Sequence, residues 1–281
     1  MTAAALRVHR IALDPNNVQR TALARAAGVA RFAWNWALAE WHRQYKAGQR
    51  PNEAALRREL NAQKLRDWPW MLESPKSAPQ QAIKDLGTAW QWYFTGKAHK
   101  PRFKKKGVHD AFRADNGPDT VAVSGRRIRL PKIGWVRIRE RLRFAGRIKS
   151  AQVTRDADRW FVAITVEVDA HHIDAVNTGR ENQGPVGVDL GVKDLAVLSD
   201  GTRFPAPKAL ERNVKKLRRL SKAHSRKRPG SANKRKSAMK LARLHRRIAD
   251  IRRDSLHQLT THLVKNHDRI VIEALNVSGM Q

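Results

Sequence analysis

The sequence predicts an α+β fold built as two domains, on three observations. At 281 residues the chain exceeds one ordinary domain, and 41% hydrophobic residues suffice for packed cores. A tryptophan-rich helical stretch is set among short alternating segments in the first 170 residues. After a polar stretch, two further alternating segments lead into long amphipathic runs and a last apolar strand.

Taken in order, Leu6 to Leu13 alternate loosely and predict an entering strand. Asp14-Pro15 predicts a cap and first turn. Trp34, Leu38, Trp41 and Tyr45, spaced four, three and four apart, predict one buried helical face. Two more helices are expected near 52–65 and 77–95. Seven of the nine tryptophans fall in the first 96 residues, and their expected role is a helical core, with base stacking open to one or two of them. From residue 101, segments bounded by Gly, Pro, Asp and Asn predict antiparallel strands that close into a small barrel. Arg159–Val168 is the clearest of these, with Trp160, Val162, Ile164 and Val166 on one face. His171 to Gly184 reads as a linker, its adjacent His171 and His172 included. Residues 208–228 and 234–267 predict a helical hairpin turning at Pro229-Gly230-Ser231. Its expected seam joins Val214, Leu217 and Leu220 to Leu241, Leu244, Ile248 and Ile251, extended by Leu259 and Leu263.

Charge narrows the function. The chain holds 57 Lys and Arg against 25 Asp and Glu, a formal charge of +32. Self-repulsion of that size destabilises a compact state unless a polyanion screens it. The imbalance is blocked: 17 basic against 4 acidic residues over 97–150, 20 against 2 over 201–253, and 4 against 9 over 151–200 between them. Basic blocks suit phosphate backbones, and an acidic segment between them suits divalent cations. Apolar runs fall short of the roughly 20 residues of a membrane span, and the N-terminus lacks a signal-peptide core. With no cysteine, disulfide and thiol chemistry are excluded. The expected setting is a reducing one, cytoplasmic and nucleoid-associated. Lys104, Lys105, Lys106, Arg126, Arg127, Lys215, Lys216, Arg218, Arg219, Arg226, Lys227 and Arg228 are the candidate nucleic-acid contacts.

The run GPVGVDLGVKDLAVLSDG, residues 184–201, carries the chemistry. Val186, Val188 and Leu190 alternate with Gly187, Asp189 and Gly191, so Asp189 points away from the core and its glycine neighbours leave it open. RIVIEAL, residues 269–275, is a second apolar strand with a single carboxylate, Glu273. Asp194 and Asp200 have a simpler role as turn residues. If the Asp189 and Glu273 strands are neighbours, both carboxylates can reach one Mg²⁺ pair.

GVDLGVKDLAVLSDG resembles the first RuvC motif of the TnpB (OrfB) family of insertion-sequence proteins, which are related to type V CRISPR effectors. IVIEALNVSGM (270–280) resembles the second, and PRFKKKG (101–107) and the basic stretch between the motifs also resemble the family. The resemblance implies a β-barrel-like wedge domain over residues 1–180 with a helical recognition insert at about 14–96. It further implies an RNase H-like (RuvC) α/β domain over 184–281, with the basic hairpin at 208–267. The implied activity is Mg²⁺-dependent, RNA-guided DNA cleavage, with guide RNA and target DNA as partners and Asp189 and Glu273 as catalytic metal ligands.

Family members continue into a zinc ribbon of paired Cys-x-x-Cys elements and a third catalytic aspartate. The expectation is therefore a C-terminally truncated, incomplete RuvC domain without the cysteine ligands for structural Zn²⁺. The alternative function is an inactive RNA- and DNA-binding protein, and a basic RNA-binding protein without nuclease ancestry is the third reading.

Overall fold

The computed structural model describes residues 5–108, 110–115, 120–168 and 183–273. It divides into two compact units, Met1–Ala170 and His171–Gln281. His171, His172 and most of the expected linker lie outside the described residues, as do residues 274–280 of the second motif.

The first unit starts with β1 (Ala5–Asp14). The helix that follows, α1 (Asn17–Lys46), is capped by Asn16 and not by Asp14. The Asn16 side chain accepts the Gln19 amide at 2.8 Å, and Gln19 Oε1 accepts the Asn16 amide at 3.1 Å. Asp14 is unavailable because it still belongs to β1, opposite Arg137. α2 (Glu53–Asp67), a 3₁₀ turn (Pro69–Glu73) and α3 (Ser77–Phe94) complete the helical part. α1 buries Trp34, Leu38 and Trp41, but Tyr45, the fourth residue of the expected face, is 68% exposed. The tryptophans divide likewise. Trp34, Trp41 and Trp90 are core, Trp36 and Trp68 pack against it, and Trp70 and Trp92 face solvent.

Six further strands follow: β2 (Ala111–Asp115), β3 (Ala122–Ser124), β4 (Arg127–Leu130), β5 (Gly134–Ile138), β6 (Arg147–Asp156) and β7 (Arg159–Val168). With β1 they form one antiparallel sheet in the order β2-β6-β7-β1-β5-β4-β3. β1 pairs with β7 from Ala5 to Ala12 and then changes partner to β5 at Leu13 and Asp14. Among the described residues the end strands β2 and β3 do not pair, so the ladder stays open. β7 buries Trp160, Val162, Ile164 and Val166 on one face. At the start of β6 the chain passes so close to β7 that only glycine fits. Gly146 has φ +149, and a Cβ there would lie 2.2 Å from the Glu167 carbonyl oxygen. Gly146→Ala should destabilise this unit by about 1–3 kcal/mol, the cost of a strained backbone site. A urea titration checks it, and an unchanged midpoint would contradict the close approach.

In the second unit β8 (Val186–Asp189), β9 (Asp194–Leu198) and β10 (Arg203–Pro205) are antiparallel, and β11 (Ile270–Ile272) joins β8 in parallel. The order is β10-β9-β8-β11. Two helices, α4 (Val214–Ser225) and α5 (Ala232–Asn266), lie between β10 and β11 in sequence. α4 starts six residues after the expected position 208, because Lys208 takes φ +44, outside the helical region, and Glu211–Asn213 form a 3₁₀ turn first. Ser231 caps α5 by accepting the Lys234 amide at 3.1 Å.

The α5 seam is divided, unlike the single stripe expected. Leu244 and Ile248 pack with Ala209, Leu217, Leu220 and Ile251. Leu259 and Leu263 instead cover the sheet residues Val186, Val188, Ala196 and Leu198. α4 has 12 residues, or roughly 18 Å of helix at 1.5 Å per residue, and is too short to accompany α5 further.

Candidate metal centre and nucleic-acid surface

Asp189 ends β8 and Glu273 follows β11. The parallel register pairs Ile270 with Val186, Val271 with Gly187 and Ile272 with Val188. One more step along both strands sets Glu273 beside Asp189, on chains roughly 4.8 Å apart. Both residues are exposed, and both line an open cleft of about 370 Å³. Val188 is 4% exposed because it faces the sheet's covered side, which directs Asp189 to the other. The cleft floor is fixed by reciprocal bonds: the Gly187 amide donates to Ser199 Oγ at 3.0 Å, and the Ser199 amide donates to the Gly187 carbonyl at 2.9 Å.

Hard carboxylate oxygens suit Mg²⁺, which is held by one or two carboxylates, waters and substrate phosphates. Asp189 and Glu273 fit that requirement. Among the described residues no group of three or more His, Cys, Asp or Glu is placed to hold a metal. Asp194 and Asp200 lie apart from the cleft. Asp194 faces Arg203 at 3.5 Å. Asp200 accepts the Thr202 amide at 2.8 Å, and that bond holds its carboxyl below the usual range.

The basic candidates differ in environment. Lys104 is packed inward, its Nζ 3.6 Å from the centroid of the Trp34 ring. Its backbone is clamped by Asn35, whose Nδ2 donates to the Lys104 carbonyl at 3.0 Å and whose Oδ1 accepts the Lys104 amide at 2.8 Å. Burial lowers the Lys104 pKa. Lys105 and Lys106 are exposed, as are Arg126, Arg127, Lys215, Lys216, Arg218, Arg219, Arg226, Lys227 and Arg228. Lys104→Met should therefore leave the salt slope of nucleic-acid binding in place, while Lys105→Ala with Lys106→Ala should lower it by about 0.7–0.9 for each phosphate no longer neutralised. Filter binding across a salt series reads both, and equal slopes for the two variants would contradict this division.

Three arginines escaped the sequence reading. Ile128 and Leu130 on β4 and Val136 and Ile138 on β5 are buried, so Arg129, Arg137 and Arg139 join Arg127 on the exposed side of the hairpin. Arg127 lies directly opposite Arg137. Like charges facing each other across a ladder are destabilising without a counter-charge. Arg126, Arg137 and Arg139 also line a pocket of about 340 Å³ with Asp14. The period-two alternation of RRIRLPKIGWVRIR was the available signal.

A family model described as "Probable transposase", of the OrfB type, matches residues 163–281, and a companion described as "Helix-turn-helix domain" matches residues 1–50. The described part of that second stretch is β1 followed by the single uninterrupted helix α1. A protein of Escherichia coli strain K12 named "Putative RNA-guided DNA endonuclease InsQ" is 38% identical over 278 residues, covering 98% of this chain and 67% of its own length. The chain belongs to the TnpB (OrfB) family.

A Mycobacterium tuberculosis H37Rv protein and a Streptomyces pristinaespiralis protein carry the same endonuclease description, at 33% and 32% identity. They cover 96% and 95% of this chain, and the match takes up 66% of each. This TnpB-family chain thus spans about two thirds of the length of the curated relatives it matches. Among solved structures, a chain of a CRISPR-Cas12f ternary complex aligns at a TM-score of 0.35 and 13% identity, over 85% of this chain and 59% of that one.

Proposed function

We propose that this TnpB-family chain carries the first two metal ligands of an RNA-guided DNA endonuclease, with Asp189 and Glu273 holding Mg²⁺ in a RuvC-type site. One observation carries the reading: the parallel pairing of β8 and β11 brings the two carboxylates to one cleft from positions 84 residues apart in sequence. The order β10-β9-β8-β11, three antiparallel strands and a fourth parallel to the first, supports an RNase H-like sheet. The seven-stranded antiparallel sheet of the first unit, with its helical part, supports the wedge-and-insert reading.

Bound there, Mg²⁺ would neutralise charge on the scissile phosphodiester and acidify a water. The chain's part is positional. Asp189 and Glu273 present oxygens from adjacent strand ends, and the Gly187–Ser199 bonds keep the strand beside Asp189 in place. The absence of a side chain at Gly187, on the Asp189 side of β8, leaves room for a phosphate. The exposed basic residues of the β4–β5 hairpin and of α4 take phosphates without reading sequence, so target choice rests on pairing to a guide RNA.

A second reading, binding without cleavage, is favoured by the finding that no third ligand joins the pair among the described residues. Incubation of the chain with guide RNA and matched DNA, in Mg²⁺ and in EDTA, separates the two. Cutting in Mg²⁺ alone establishes the nuclease. Guide-dependent retention of uncut DNA in both establishes the binding protein.

A further inference from the structure

The ends of α1 and α3 carry more aromatic surface than their packing consumes. Trp41 and Trp90 are buried and stacked, with centroids 5.4 Å apart and planes 12° apart. Phe94 also stacks on Trp90, at 5.5 Å and 21°. Yet Phe94 is 64% exposed and Tyr45 68%. With His42 and Lys100 these residues line a pocket of about 170 Å³. That is below the roughly 300 Å³ at which drug-sized ligands begin to fit, and it suits one planar ring system.

The chemistry of the walls selects the guest. Lys100 Nζ lies 5.9 Å from the Trp90 ring centroid. Burial, with Lys100 and Lys46 nearby, lowers the His42 pKa, so its imidazole is neutral at neutral pH. A cationic guest is repelled by the two lysines, which argues against an aromatic cage for alkylated ammonium groups. Flat parallel rings beside a cation favour a planar ring that carries an anion. Buried polar atoms without partners are rare. Of the four such side-chain atoms among the described residues, two belong to this pocket, His42 Nε2 and Trp90 Nε1.

We propose that this pocket captures one unpaired base of a nucleic-acid strand, stacked on the exposed ring of Phe94 beside Tyr45, with the adjoining phosphate on Lys100. It extends the nucleic-acid reading above from charge to an individual base, and it does not depend on Asp189 or Glu273.

The test uses the full chain with labelled oligothymidylate, a fully abasic strand of equal length, and free thymidine monophosphate. Phe94→Leu keeps apolar bulk and removes the flat face, and Tyr45→Ala removes an exposed wall. Each should weaken oligothymidylate binding by roughly 5- to 150-fold, the range measured for single stacked bases. The salt slope should not change, because neither variant removes a charge. Abasic-strand binding and the melting temperature should also stay unchanged. Lys100→Met should instead reduce the slope by about 0.7. Wild-type affinity in both aromatic variants would overturn the proposal, as would an equal loss on the abasic strand. Saturable monophosphate binding that oligothymidylate does not compete would overturn it too, by making the pocket a free-nucleotide site. Because every readout is binding, a failure to cut DNA leaves this result unaffected.

Discussion

On the nuclease reading proposed above, Glu273→Gln should abolish Mg²⁺-dependent cutting while leaving guide and target binding near wild type. The substitution keeps the size of the side chain and removes one of the two anionic oxygen donors on the cleft. Partners that merely orient metal ligands are worth about 10–100-fold in affinity or activity. A direct ligand should exceed that, so the expected loss of rate is more than about 100-fold. Asp189→Asn should match it, and the double variant should lose little more, because two ligands of one ion act as a unit. Residual cutting independent of both residues would assign the chemistry elsewhere. Parallel loss of binding and melting temperature would indicate a folding defect.

The largest effect on stability is expected far from that cleft, in the first unit. Asp110 has 9% of its side chain exposed and lies between two cations. Arg31 Nη1 donates to its Oδ1 at 2.8 Å, and Arg155 Nη1 lies 3.6 Å from its Oδ2. The Gly107 amide adds a bond to Oδ1 at 3.1 Å. This one carboxylate ties α1, the segment before β2 and the strand β6 together. Asp110→Ala removes the anion that both guanidiniums meet, Arg31 at 18% exposure and Arg155 at 32%, the latter keeping its bond to the Ala157 carbonyl. Breaking a buried pair in this way costs about 3–5 kcal/mol. At roughly 2–4 °C per kcal/mol for a unit of this size, the melting temperature should fall by about 6–20 °C. Replacing Arg25, whose pair with Glu73 is about two-thirds exposed on both sides, should shift it by little, since exposed pairs contribute about 0–1 kcal/mol. Equal shifts in the two variants would mean that Asp110 is not the tie described.

Which features were legible in the sequence follows from the range of the forces involved. β7 was legible because alternation over ten residues records one buried face directly. The two carboxylates were legible because each is the single acid on an otherwise apolar strand end. Their adjacency was not, since parallel pairing across 84 residues leaves no local trace. Lys104 read as one of three equivalent lysines. Only the fold brings Trp34 and Asn35 against it, and burial then changes what its ammonium can do. The cap moved from Asp14 to Asn16 because tertiary strand pairing claimed Asp14 first. Leu259 and Leu263 continue the helical period of Leu244 and Ile248, and periodicity cannot tell which partner each pair meets.

That divided helix has a geometric consequence. α5 runs 35 residues without a break. Its first half sets where the arginines of the hairpin point, and its second half is seated on the strand that ends in Asp189. A continuous helix advances about 100° and 1.5 Å per residue. It therefore fixes an angular phase between the basic ridge of the helical hairpin and the carboxylate cleft. A single residue inserted between Ile251 and Leu259 would leave both halves folded while turning one against the other by more than a quarter of a revolution. The spacing of residues within α5 is thus a dimension of the site itself, although no side chain in that interval lines the cleft.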